Sequence, residues 1–422
     1  MLHQAGSTTL DGASYGYDFA GNRTSKTNYL NGITSNYGYD AIYELQQVTQ
    51  GTSTTESYSY DAVGNRLSSL GMNPYSYNTS NELTATPSGS YTYDNNGNTL
   101  TDASGKSYTW DFENRLVSAV APGTGTVAFK YDPFGRRIQK SSGLGTTNYL
   151  YDGEDPKANA IEEVDNSGNV LTRYTESDLV DEPLAELRGT TTSYYEADAL
   201  GSVISLSNSN AGLTNSYVYD SFGNVTTSAG TLTNPFQFTA RDADSESGLY
   251  YYRARYYAPQ IGRFLSEDPI RFEGGTDFFA YVHNNPARFK DSSGLLSIDG
   301  SCDCNGFDKD NVSNAAQQAL AAAARITDSG LRDCIIDHLN KGKVKCGNDS
   351  YCHQGKPDKN GMITLGWSMP WGSTIHLCKA VNGADPRMAC IMIHEFAHTC
   401  HHMFESTPDR AMNQAFPGQC PK

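Results

Sequence analysis

Aromatic and small or polar residues alternate along the first 290 residues in a unit that keeps returning. Tyr15-Gly16-Tyr17-Asp18 leads into Gly21-Asn22-Arg23, Tyr37-Gly38-Tyr39-Asp40 follows, and Tyr58-Ser59-Tyr60-Asp61 leads into Gly64-Asn65-Arg66. The series runs on through Tyr75-Ser76-Tyr77-Asn78, Tyr91-Thr92-Tyr93-Asp94, Tyr108-Thr109-Trp110-Asp111, Phe129-Lys130-Tyr131-Asp132, Tyr149-Leu150-Tyr151-Asp152 and Tyr217-Val218-Tyr219-Asp220. The early units recur every 16 to 22 residues. Residues two apart on a strand share a face, so each aromatic pair predicts a strand with both rings on one side. The Asp to Gly-Asn step predicts a tight turn. Each unit is therefore expected to be a β-hairpin with one apolar face, and such a hairpin cannot bury that face alone. Successive hairpins must stack sideways into a long sheet. Tyrosines used this way are structural.

Beyond residue 295 the pattern changes to helical spacing. Asn311 to Ile326 is alanine-rich, and Leu331, Cys334, Ile335 and Leu339 recur at intervals of three and four. Thr364 to Met369 and Ser373 to Cys378 predict two short strands around the turn Pro370-Trp371-Gly372. Asp385-Pro386 then supplies a helix N-cap and first-turn proline, and Met388, Ile391, Met392, Phe396, Thr399 and Met403 give that helix an apolar face. The expectation is a mainly β chain followed by a small α+β unit.

Composition sharpens the boundary. Of 31 basic and 47 acidic side chains, residues 296 to 422 hold 12 and 13, so residues 1 to 295 hold 19 and 34. The net charges are −15 and −1. All nine cysteines lie between Cys302 and Cys420, which points to disulfides and an oxidising destination for the second part. Phosphate binding needs clustered Lys and Arg, so the acidic balance predicts no nucleic-acid partner. No run reaches the roughly 18 apolar residues of a membrane span. The amino end, Met1-Leu2-His3-Gln4-Ala5-Gly6, carries no signal peptide pattern, and repeats begin almost at once. That start reads as the middle of a longer protein.

The candidate chemistry of the second part is the pentapeptide His394-Glu395-Phe396-Ala397-His398. Histidines four apart on a helix stack one turn above the other and can reach one Zn2+, while Glu395 polarises a bound water. A third ligand must come from elsewhere. Eleven residues at about 1.5 Å each place Glu405 roughly 16 Å along the axis from His394, so a direct continuation does not reach. Thr407-Pro408 predicts a second helix that puts Asp409 in its first turn. Asp409 is the preferred third ligand, with Glu405 and then His401 or His402 as alternatives. His376 or Tyr351 could assist the developing oxyanion. This region resembles zincin-type metallopeptidases, and the implied activity is zinc-dependent peptide hydrolysis with Glu395 as general base.

Residues 239 to 295 carry a more specific resemblance. Thr239-Ala240-Arg241-Asp242, Gly248-Leu249-Tyr250-Tyr251-Tyr252-Arg253-Ala254-Arg255-Tyr256-Tyr257, Gly262-Arg263-Phe264-Leu265-Ser266-Glu267-Asp268-Pro269 and Tyr281-Val282-His283-Asn284-Asn285-Pro286 resemble the repeat-associated core of bacterial RHS proteins. The upstream units resemble their YD repeats. The resemblance implies three parts: a YD-repeat β-shell of stacked hairpins over 1–238, a core or plug over 239–295, and an enclosed, cysteine-rich, zincin-like toxin domain over 296–422. It further implies self-cleavage after an Asp-Pro-x-Gly-Leu end by aspartates inside the plug. The matching stretch here is Asp291-Ser292-Ser293-Gly294-Leu295, with serine where proline is usual. Asp268 fits the catalytic position best, with Asp277 a weaker partner. The expected whole is a polymorphic toxin fragment delivering a metallopeptidase to a protein substrate in a target cell, alongside a cognate immunity protein. A structural adhesion protein with an inactive terminal domain and a nuclease-type toxin are the rival expectations.

Overall fold

The computed structural model describes residues 1–153, 159–177, 180–270 and 276–295, together with the backbone of three short strands further on. The chain divides into two compact units, Met1–Leu295 and Leu296–Lys422. Among the described residues of the first unit, sheet is the dominant structure, and within each sheet consecutive strands pair antiparallel. A seven-stranded sheet runs from Leu2–Ala5 to Arg66–Ser69, and a three-stranded one is built on Leu83–Thr86. A fourteen-stranded sheet runs from Thr92–Tyr93 to Val225–Ala229. Strand order follows sequence order throughout, as stacked hairpins require.

The repeat unit explains itself at atomic level. In strand after strand the register shifts immediately before the second aromatic, as at Tyr17, Tyr39, Tyr60, Trp110 and Tyr131. The next residue is the turn aspartate. Asp61 illustrates it: its N–H donates to Asn65 O, its Oδ1 accepts from the N–H groups of Val63 and Asn65, and its Oδ2 accepts from the Asn65 amide. Three residues after the aspartate (Asn78 in one unit) the backbone is left-handed, with φ between 59° and 95° at Gly21, Tyr43, Gly64, Asn81, Gly97, Asn114, Gly135 and Gly223. Glycine takes that conformation at no steric cost and asparagine tolerates it, which is why the motif is written with them.

The two rings of a unit share a face, with Tyr15 and Tyr17 at 6.4 Å and Tyr217 and Tyr219 at 6.3 Å between centroids. Their jobs differ. First rings such as Tyr58, Tyr108, Phe129 and Tyr149 are buried. Second rings use their polar ends to tie each hairpin to the one before: Tyr39 Oη donates to Arg23 O at 2.7 Å, Tyr60 to Leu45 O at 2.8 Å, Trp110 Nε1 to Thr99 O at 2.7 Å and Tyr219 to Val203 O at 2.7 Å. Each such bond contributes about 1 kcal/mol net, and the series holds the strip together sideways.

The strip also closes on itself. Lys26 Nζ meets Asp198 Oδ2 at 3.1 Å, Tyr15 Oη accepts from Ala199 N–H at 3.3 Å, and Glu56 accepts from Ser221 N–H at 3.1 Å. Arg66 packs over the Phe222 ring at 3.9 Å. First and last hairpins thus meet along a seam of polar and cation–π contacts.

Residues 242–264 form a separate four-stranded sheet whose strands Leu249–Tyr252 and Arg255–Ala258 are buried at every position. Its rings interlock with those of the strip: Tyr252, Tyr257, Phe264 and Tyr281 pack with Leu45, Tyr58 and Phe222 on one side, while Tyr251 and Tyr256 pack with Tyr108, Leu116 and Phe129 on the other. In the second unit the strands Gly366–Ser368 and Thr374–Cys378 pair antiparallel, and Lys343–Gly347 runs parallel to the latter. Cys346 and Cys378 fall on these strands, while the other cysteines, the helices expected there and the pentapeptide lie outside the described residues.

Candidate functional site at the carboxy end of the plug

The turns that follow the second aromatic of each unit fall on one rim of the strip, and residues 239–295 dock against that rim turn by turn. Asn285 donates to Asn22 Oδ1 at 3.0 Å, and Asn284 donates to Glu44 Oε1 at 2.9 Å and Gly64 O at 2.8 Å. Arg263 donates to Asn65 Oδ1 at 3.1 Å and Asn81 O at 2.7 Å. Further round, Thr99 Oγ1 donates to Leu265 O, Tyr251 Oη to Gly135 O, and Tyr257 Oη to Phe222 O. At Gly97 the approach is so close that a Cβ would stand 2.6 Å from Glu267 Cγ. The plug therefore reads the turns through their backbone and their asparagines. Left-handed φ at Val282, His283 and Asn284 folds the loop that delivers the Asn284 amide.

Inside the plug one arginine gathers the chemistry. Arg255, on strand Arg255–Ala258, lies with its guanidinium 3.6 Å from the Phe264 ring centroid. Its Nη2 stands 2.8 Å from Asp268 Oδ2 and 3.5 Å from Asp291 Oδ2. Its Nε donates to Gly294 O at 2.5 Å and its Nη1 to Phe278 O at 3.1 Å. The Asp268 backbone is pinned by donation to Phe278 O, and Asp268 Oδ1 accepts from Ile270 N–H at 3.0 Å. Asp291 uses its other oxygen to close the final turn, accepting from Ser293 N–H at 3.1 Å and Gly294 N–H at 2.8 Å. Burial pushes the Asp268 carboxyl up to about 6, with the Asp291 charge adding to the rise and Arg255 and the Ile270 N–H opposing it. Two carboxylates on one guanidinium, one of them able to keep a proton near neutrality, can activate a water and supply an acid.

Gly294 is required where it stands. Its φ is +71°, and a Cβ there would lie 2.4 Å from Tyr252 O. The chain end of the plug is thus drawn against the sheet beside both carboxylates.

The structure places Asp268 in this cluster. Asp277 goes elsewhere: both of its oxygens are gripped by Arg263 at 3.0 Å, and Oδ1 also caps Phe279 N–H. Asp291 takes the partner's place. Its residue was visible in the sequence as the first of the Asp-x-x-Gly-Leu end, and reading that end as a cleavage marker concealed that its aspartate is also a buried carboxylate. His394, Glu395, His398 and Asp409 lie outside the described residues.

A strip of antiparallel hairpins closed by a docked plug also has a family assignment. The Teneurin YD-shell family matches residues 5–290. The chain belongs to the Teneurin YD-shell family. Among curated relatives of this YD-shell chain, the tRNA3(Ser)-specific nuclease WapA of Bacillus spizizenii is 35% identical over 290 residues, covering 66% of this chain and 11% of WapA. The double-stranded DNA deaminase toxin A of Burkholderia cenocepacia is 25% identical over 328 residues, covering 67% of this chain and 22% of that protein. The YD-shell chain thus spans about a tenth to a fifth of the length of these relatives. The crystal structure of TcdB2-TccC3-Cdc42 has the same fold over 70% of this chain and 17% of that one, with a TM-score of 0.57 at 20% identity.

These relatives correct the expected enzyme class. The proteins that share this shell are named for nuclease and deaminase activities, so the assignment of a zinc metallopeptidase from the His394–His398 pentapeptide does not stand. The exclusion of nucleic acid also loses its basis. The acidic surplus belongs to residues 1–295, and the charge of that part does not report what residues 296–422 act on. Among the described residues no helix is long and apolar enough to cross a membrane.

Proposed function

We propose that this chain is a fragment of a polymorphic toxin, in which a plugged YD-repeat shell carries residues 296–422 and detaches them by cutting its own backbone after Leu295. The observation that carries this reading is the shared grip of Arg255 on Asp268, Asp291 and the Gly294 carbonyl. Below about pH 6 the Asp268 carboxyl keeps its proton, and Asp291 shares the Arg255 guanidinium with it. The ionised carboxylate takes a proton from water as its oxygen attacks the Leu295 carbonyl carbon. The protonated carboxyl gives its proton to the leaving nitrogen, the C–N bond breaks, and a Leu295 carboxylate and a Leu296 amine result.

The released part is read as a nuclease-type effector acting on nucleic acid in a target cell. The names of the shell's relatives support this over protein hydrolysis, and a cognate immunity protein and a secreted or surface route belong to the same reading. A zinc ion held by His394 and His398 remains compatible with it on the sequence pattern alone, and metal content of the purified chain with and without His394→Ala tests that ion separately.

Purified full-length chain should run as two pieces, 1–295 and 296–422, whose new ends are identified by mass spectrometry. The cleaved protein, opened in mild denaturant and returned to buffer, should degrade or modify tRNA or double-stranded DNA. An intact chain sinks the self-cleavage reading; unchanged tRNA and DNA sink the effector assignment.

A further inference from the structure

A second arginine reaches the cut segment from behind. Arg253 sits in the turn between strands Leu249–Tyr252 and Arg255–Ala258, two residues from Arg255. Its Nη1 donates to the Ser292 carbonyl, next to Asp291. Its Nη2 donates to Asp181 Oδ1 at 2.7 Å and to Asn159 Oδ1 at 2.8 Å. Asp181 also receives Arg241 Nη1, and it lies in the shell, in the turn that leads into strand Pro183–Arg188. One side chain therefore joins the shell wall to the backbone of the segment that carries Asp291.

Two further features point the same way. Arg253 and Asp181 both have left-handed backbones, at φ 58° and 62°, a conformation that side-chain-bearing residues keep only where their surroundings hold them. Ser292 has no ring to fix its own φ, so the path from Asp291 to Leu295 depends on outside contacts. Those contacts include Arg253 on the Ser292 carbonyl, Ala254 N–H on the Ser293 carbonyl and Arg255 on the Gly294 carbonyl. Arg255 belongs wholly to the plug, whereas Arg253 is anchored in the shell.

We propose that Arg253 is a positioning residue for self-cleavage: through Asp181 it holds the Ser292 carbonyl to the shell wall, so that Asp291 and the bond after Leu295 meet Asp268 only once that wall is in place. The cut is thereby licensed by completion of the container. This rests on the self-cleavage reading above.

The test follows the cleaved fraction of full-length chain with time after refolding from urea, for wild type, Asp268→Asn, Arg253→Gln, Arg253→Lys, Asp181→Asn and the double variant Arg253→Gln/Asp181→Asn. Arg253→Gln and Asp181→Asn should each slow cleavage by roughly a hundredfold through misplacement of the segment. The double variant should be no slower than the slower single, because both break one link. Arg253→Lys should recover part of the rate and keep the wild-type pH profile, since Arg253 does not touch Asp268. Wild-type rates in Arg253→Gln and Asp181→Asn, with Asp268→Asn uncut, overturn this proposal and leave self-cleavage standing. Independent, multiplying effects in the double variant overturn it as well. An uncut wild type removes both readings together. Should Arg253→Gln fail to fold, Asp181→Asn and Arg253→Lys decide by the same criteria.

Discussion

Lys26 Nζ meets Asp198 Oδ2 at 3.1 Å, although 172 residues separate them in the chain. Burial works to raise the Asp198 carboxyl, but Lys26 and Arg23 outweigh it and hold it below the usual carboxylate range. Lys26→Met should destabilise the first unit by about 2 kcal/mol, the cost of stranding a mostly buried carboxylate at a partly exposed pair. Because the folded pKa is lowered, the pair's contribution is present above the unfolded value near 4 and lost as pH falls through the folded one. Urea unfolding of both proteins at neutral and acidic pH checks this: the difference should shrink on acidification.

Asp268→Asn and Asp291→Asn should each leave a single uncut band, while Asp277→Asn should still cut if its fold survives the loss of one Arg263 contact. The Asp268 carboxyl titrates at about 6, so the proton needed by the leaving nitrogen is lost as pH rises through that value. Cleavage after refolding should therefore slow steadily above about pH 6. A rate that keeps climbing to alkaline pH would remove Asp268 as the acid.

Glu56 gives the seam an opposite pH response to that of Lys26. Burial, followed by the neighbouring Asp220 charge, lifts its carboxyl to about 7, against hydrogen bonds from Tyr58 and Ser221. A raised folded pKa means its contribution is full below the unfolded value near 4.5 and lost as pH rises through 7. Thermal melting of the Asp268→Asn chain should fall between about pH 5 and pH 8, and by less in a further Glu56→Gln variant.

Tyr131 ties a hairpin both to its neighbour and to the plug, with its Oη 2.6 Å from Leu116 O and 3.1 Å from Tyr256 Oη. Tyr131→Phe should cost about 1 kcal/mol of stability. Tyr17, at the same place in its repeat but 55% exposed, is the control, and Tyr17→Phe should leave the unfolding midpoint unchanged.

The hairpin strip was legible because its information is local. Aromatic spacing set the strands, and the residue three places after each turn aspartate is glycine or asparagine wherever the backbone most often turns left-handed; Tyr43 breaks that rule and is held there instead by the Asp40 turn. The meeting of Lys26 with Asp198 was not legible, since it depends on how many hairpins complete a circuit and no short-range pattern encodes that number. Asp291 was hidden by its double duty as turn cap and carboxylate. His394-Glu395-Phe396-Ala397-His398 misled about enzyme class for a different reason: three fixed positions in five carry little information, and the much longer 239–295 pattern pointed to the family without naming the chemistry of residues 296–422.

Because the plug takes a partner from one hairpin turn after another around the rim, it works as a gauge of circumference. A final coil with one hairpin too many would leave a turn facing nothing, and one too few would bury Asn284, Asn285 or Arg263 without an acceptor, at about 1–3 kcal/mol for each orphaned group. Repeats may be gained or lost upstream without penalty from this device, but the last circuit has a fixed number of hairpins. The length of that last circuit is thus dictated by the plug that closes it.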